Sequence, residues 1–108
     1  MPAATREDWD GRGERELLAF RFSTDAPCNE IHIIDVEDCR GPSAQCGNIG
    51  PDLPGHRPSF TNDGQLVFGL LKPKGKHNCN NQNKIAILDP FAPGSTPTET
   101  VNGTDPDG

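Results

Sequence analysis

Nothing in this chain is both long and apolar. No run approaches the ~20 residues that a membrane-spanning helix needs, so no membrane span is expected. Hydrophobes are few: Leu, Ile, Val and Phe together number 21 in 108 residues, at the lower limit for a globular fold. A surplus of positive charge is missing too. Net charge is −6 and the pI about 4.8, which argues against nucleic acid as a partner, since phosphates call for a basic surface. The opening MPAATREDWDGRGERE is acidic and polar, without the apolar centre of a secretory signal. A secreted parent would have shed its signal before this segment.

Chemical signatures are missing as well. There is no Cys-x-x-Cys, so neither a zinc ribbon nor a haem attachment is supported. His77-x-Cys79 is only a fragment of a ligand set, and His32 and His56 have no partner at ligand spacing. Gly-x-Ser-x-Gly, the P-loop and the dinucleotide fingerprint are all absent. No nucleophile, base and orienting group stand together. No catalytic, cofactor-binding or metal-binding residue is assigned, and the chain is expected not to be an enzyme.

What is present is clustered. Sixteen of the 21 hydrophobes lie in LLAFRF (17–22), IHIIDV (31–36), LVFGLL (66–71) and IAIL (85–88). Disordered chains do not gather hydrophobes in this way. The runs are short and rich in β-branched and aromatic residues, so each reads as a strand. STDAPCNE and TNDGQ read as turns. Residues 38–56 read as a long connection with a short edge strand near Ile49. KPKGKHNCNNQN reads as a polar loop whose KPKGKH tip is solvated rather than bound to phosphate or lipid. PTETV in the Pro- and Thr-rich tail reads as an outer strand. No helical period of useful length occurs, so the fold class is all-β.

The chain also resembles itself. Asp10-Gly11 precedes LLAF, and Asp63-Gly64 precedes LVF, 53 residues on. IHIID (31–35) matches IAILD (85–89): Ile31 with Ile85, Ile33 with Ile87, Ile34 with Leu88, Asp35 with Asp89. The unit is a turn, a strand, a variable loop and a strand ending in Asp. Each glycine supplies the φ > 0 that a tight turn between antiparallel strands demands, and each Asp accepts from nearby backbone N–H groups. Asp10, Gly11, Asp63 and Gly64 are therefore turn residues, and Asp63 is not read as a catalytic acid. Both faces of the inner strands carry apolar side chains, which calls for packing partners on both sides. Stacked blades meet that need.

RPSFTNDGQLVF (57–68) resembles the TolB-like (WD-repeat-like) β-propeller repeat, with its proline, aromatic, Asp-Gly turn and apolar strand ending in Phe. KIAILD resembles the strand that follows. Residues 57–89 match well; residues 8–36 match more loosely, because RGERE separates turn from strand. Asn62 stands where the family has proline. The resemblance implies antiparallel four-stranded blades forming part of a β-propeller, used as a protein-binding scaffold. On this reading residues 1–56 are a first repeat with an N-terminal arm, and residues 57–108 a second, cut at the start of the next. The expected partners are a protein or peptide ligand and further blades. The alternatives are the propeller portion of a larger hydrolase or peptidase, with the catalytic domain elsewhere, and a small disulfide-braced secreted domain.

Four cysteines, all in loops, suggest disulfides, and with them a periplasmic or extracellular protein. Cys28 and Cys39 flank a strand and would stand about 20 Å apart at ~3.3 Å per residue, beyond the ~7 Å reach of a bridge. Cys28 and Cys79 occupy corresponding loops of the two repeats, and Cys39 and Cys46 share one connection. The favoured pairs are Cys28–Cys79 and Cys39–Cys46. Asn102-Gly103-Thr104 fits a glycosylation sequon. Trp9 is read as anchoring the arm on an adjacent blade. Arg57 is read as a donor to strand carbonyls or to Asp63.

Overall fold

A computed structural model describes residues 3–23, 27–41, 46–76, 78–92 and 98–99. The regular structure is almost all strand: β1 (Ala3–Glu7), β2 (Arg15–Phe22), β3 (Glu30–Asp35), β4 (Leu53–Phe60), β5 (Leu66–Lys74), β6 (Asn78–Leu88) and β7 (Thr98–Glu99). They form one antiparallel sheet in sequence order, open at β1 and β7. The all-β class is therefore established.

The sheet folds on itself at β4. Leu53 and Pro54 pair with β3, whereas residues from Gly55 onward pair with β5. The register shifts between His56 and Ser59, and Arg57 adopts φ 54° at this irregularity. Bulges of this kind turn a strand from one sheet layer to another. β4 accordingly also contacts β1 and β2. It crosses the expected 56/57 boundary and belongs to both halves. Arg57 is exposed on the bulge.

One core lies between the halves. It comprises Leu17, Ala19, Ile31 and Ile33 from the first, Leu53 at the crossing, and Leu66, Phe68, Ala86 and Leu88 from the second. Alternate residues of β2 and β3 are buried, and their neighbours Leu18, Phe20 and Ile34 are half-buried on the outer face. Gly55 is small for a stated reason: a Cβ there would stand 2.6 Å from Phe68 Cδ2 and 2.9 Å from the Gly69 carbonyl oxygen.

Five segments differ from the sequence expectation. The N-terminal arm contributes a strand, β1, and β4 begins at Leu53, inside the stretch read as the 38–56 connection. KPKGKHNCNNQN is not a polar loop: β5 runs on to Lys74, β6 begins at Asn78, and Gly75 and Lys76 turn between them. Ladder hydrogen bonds do not depend on apolar side chains, so a polar ribbon can project beyond the core as strand. The connection after β3 opens with a short helix, α1 (Val36–Arg40). Asp35 caps it, accepting from the Glu37 and Asp38 N–H groups at 2.9 and 3.2 Å, the ordinary N-cap geometry. No strand forms at Ile49. Instead Ile49 N donates to Ile33 O at 2.8 Å, and Asn48 Oδ1 accepts from Ile33 N at 3.0 Å, which closes part of the β3 edge. Of the tail, β7 takes up Thr98 and Glu99 of PTETV.

Candidate functional site

The two turns each carry a glycine at positive φ and differ in partners. Gly11 and Gly64 share φ 83°. In the second turn Thr61 Oγ1 donates to Asp63, Gly64 N donates to Thr61 O at 3.0 Å, and Gln65 N donates to Thr61 Oγ1 at 3.0 Å. A Cβ on Gly64 would land on the Glu7 carboxylate, so this turn sits directly against the end of β1. Partial burial, followed by repulsion from Asp89, Glu14 and Asp63, pushes the Glu7 carboxyl above its ordinary range.

Asp10 does more than turn the chain. It pairs with Arg12 and with Arg15, the latter at 3.1 Å. Arg15 is buried and also pairs with the wholly buried carboxylate of Asp35. Trp9 Nε1 donates to Asp35 Oδ2 at 2.8 Å. The Arg15 guanidinium lies 5.7 Å from the centre of the Trp9 ring, and that ring is 6.0 Å from Phe91 in the second half. Arg12 reaches Asp38 of α1 at 3.4 Å. This knot ties arm, β2, β3 and α1 together. Burial disfavours ionisation of Asp35. Donors from Trp9, the Asp38 backbone and Arg15 outweigh it and hold the carboxyl below its usual range. A carboxylate so fully engaged is a clamp rather than a proton acceptor for chemistry. Trp9 thus reaches the second half through Phe91. The Asp35 hub escaped the sequence reading, although Asp followed by Glu37 and Asp38 is an N-cap signal.

The structure joins Cys28 to Cys79, with Cα atoms 5.1 Å apart, and Cys39 to Cys46, at 4.6 Å. The first bridge links the β2–β3 connection to β6, and so the two halves. His32 lies 3.1 Å from Glu30 Oε1 and stacks on Phe22 at 4.2 Å between ring centres. His56 packs against Gly69; burial, then Arg57 and Arg21, lower its pKa. Among the described residues no group of three or more His, Cys, Asp or Glu is placed to hold a metal ion. His77 and Asn102 lie outside the described residues.

The two stretches of similar sequence pair alike within their hairpins. Leu18↔Ile34, Ala19↔Ile33, Phe20↔His32 and Arg21↔Ile31 pair across β2 and β3. Leu66↔Leu88, Val67↔Ile87, Phe68↔Ala86 and Gly69↔Ile85 pair across β5 and β6 in the same order. Leu18-Ala19-Phe20 therefore corresponds to Leu66-Val67-Phe68. Yet equivalent residues point oppositely with respect to the core. Ala19, Ile31 and Ile33 are buried, whereas Val67 and Ile87 are half-buried and Ile85 is 43% exposed. Leu66, Phe68, Ala86 and Leu88 are buried, whereas Leu18, Phe20, His32 and Ile34 are half-buried. The front of one hairpin thus meets the back of the other.

No family model matches the chain, and no match is found among curated proteins or solved structures.

Proposed function

We propose that this chain is a pair of blades of a TolB-like propeller and serves as a non-catalytic scaffold for protein or peptide ligands. The front-to-back seam carries the reading. Face-to-face packing of like surfaces closes on itself, whereas front-to-back packing leaves one complementary surface unused at each end. Here those surfaces are the outer face of β2–β3 (Leu18, Phe20, His32, Ile34, with Phe22 43% exposed) and the outer face of β5–β6 (Val67, Ile85, Ile87). Apolar faces of this kind suit further blades, and the loops and hairpin tips at the rim are left for ligands.

The test is a mixing experiment. Phe20→Glu with Phe22→Glu blocks one outer face; Ile87→Glu blocks the other. The wild-type chain should associate with rising concentration, each variant alone should stay monomeric, and their mixture should form a one-to-one complex by sedimentation. A monomeric wild type and an inert mixture would overturn the blade reading. That result would favour a free-standing disulfide-braced domain, a reading to which the Cys28–Cys79 bridge between the halves already lends weight.

A further inference from the structure

Charge is segregated along this chain. All four lysines, Lys72, Lys74, Lys76 and Lys84, lie between Gly64 and Leu88, where there is no Asp or Glu. Elsewhere six arginines face 16 carboxylates, so the −6 chain divides into +4 and −10. The structure places three of the lysines at the end of the β5–β6 ribbon. Lys72 pairs across to Asn80, Pro73 to Cys79 and Lys74 to Asn78, with Lys76 in the turn. Alternate residues of a strand point to opposite faces. Pro73 and Cys79 therefore share one face, which the disulfide to Cys28 ties to the first half. Lys72, Lys74, Asn78 and Asn80 share the other and are exposed. Among the described residues Lys72, Lys74 and Lys76 make no ion pair. Arginines 12 and 15, by contrast, are both paired with carboxylates.

We propose that this lysine–asparagine face is a docking surface for an acidic protein segment in extended conformation. Lys72 and Lys74 are two residues apart on a strand, so their ammonium groups repeat at about 7 Å. Alternate side chains of an extended peptide repeat at the same distance. A peptide with Glu or Asp at every second position can therefore set successive carboxylates against successive lysines. The Asn78 and Asn80 amides, alongside them, donate to the same carboxylates or to the peptide's carbonyls. Lysine suits this use: it is a mobile point charge that adapts to a row of carboxylates. The staple to Cys28 orients the surface before the ligand arrives, which lowers the ordering cost of binding. The inference deepens the scaffold reading by naming where a partner binds and what its chemistry is.

The experiment is fluorescence anisotropy of the 108-residue chain with three labelled probes. They are a peptide of alternating Glu and Thr, the same peptide with Gln for Glu, and a peptide of equal charge with its Glu residues in one block. The alternating peptide should bind, and more weakly as salt rises. The Gln peptide should not bind, and the block peptide should bind less tightly. The triple variant Lys72→Gln, Lys74→Gln, Lys76→Gln should weaken binding about tenfold or more, about 1.4 kcal/mol. Arg40→Gln on α1 should leave it unchanged. Circular dichroism and the mass of the disulfide-bonded chain check that the variants fold. Unchanged binding by the triple variant, equal binding of the Gln or block peptide, or tighter binding of dextran sulfate at the same lysines would each overturn the proposal. Failure here with a productive mixing experiment would leave the blade reading intact; the reverse pattern would sink only the blades.

Discussion

Asp35 shows how one side chain serves several elements. It ends β3, caps α1 and accepts from Trp9 and Arg15. Its carboxyl is held below the ordinary range in the fold, so the unfolded chain binds a proton there first. The stability it contributes is complete above the unfolded value, about 4, and is lost as pH falls through the lower folded value. Asp35→Ala leaves Arg15 with Asp10 as its remaining close carboxylate, strips the α1 cap and orphans the Trp9 N–H, and should cost about 1–3 kcal/mol. Trp9→Phe removes one donor to a charged group and should cost about 1.5–3 kcal/mol. Urea titration at about pH 7 and about pH 3 checks both: the Asp35 penalty should shrink in acid. Glu7 behaves oppositely. Its carboxyl is raised, first by partial burial and then by Asp89, Glu14 and Asp63. The fold therefore holds that proton more tightly than the unfolded chain, and stability is lost as pH rises through the folded value. Glu7→Gln should raise the urea midpoint near neutral pH and change little in acid. At this scale the glycine turns were legible, because φ 83° at Gly11 and Gly64 belongs to glycine on steric grounds. The knot around Asp35 was not, because Trp9 and Asp35 are 26 residues apart and only the fold brings them together.

At the scale of elements, the strand cores of β2, β3, β5 and β6 were readable from clustered apolar residues, and their ends were not. The ribbon beyond Leu71 holds its shape by backbone pairing, to which composition gives no clue. α1 is too short for any hydrophobic period and depends on its cap. The disulfides differ in what they enclose: Cys28–Cys79 spans 51 residues and Cys39–Cys46 only 7. By chain entropy the longer loop contributes about 4 kcal/mol and the shorter about 2. Cys28→Ser with Cys79→Ser should therefore lower the urea midpoint more than Cys39→Ser with Cys46→Ser. Phe68, wholly buried against Gly55, should cost about 3–5 kcal/mol when replaced by Ala. Equal losses from the two disulfide pairs would show that strain or residual structure outweighs loop length.

For the whole molecule, the scarcity of hydrophobes has a structural counterpart. One core serves both halves, and the outer faces keep side chains such as Phe22 and Ile85 43% exposed. Phe20→Glu with Phe22→Glu should raise solubility and suppress association without lowering the urea midpoint appreciably, since these side chains lie outside the core; light scattering beside urea titration checks it. The amino-acid order alone showed that the chain is β-rich, that two of its stretches are alike, and where the Asp-Gly turns before β2 and β5 lie. Those properties follow from side-chain period and from steric limits on φ, both of which are local. The tertiary structure decided which face of each hairpin is inside, how β4 joins the halves, and that Lys72 and Lys74 share the face opposite the Cys28–Cys79 disulfide. A strand with apolar residues on both sides has no inside until a second layer packs against it, and that choice is made by contacts far apart in sequence.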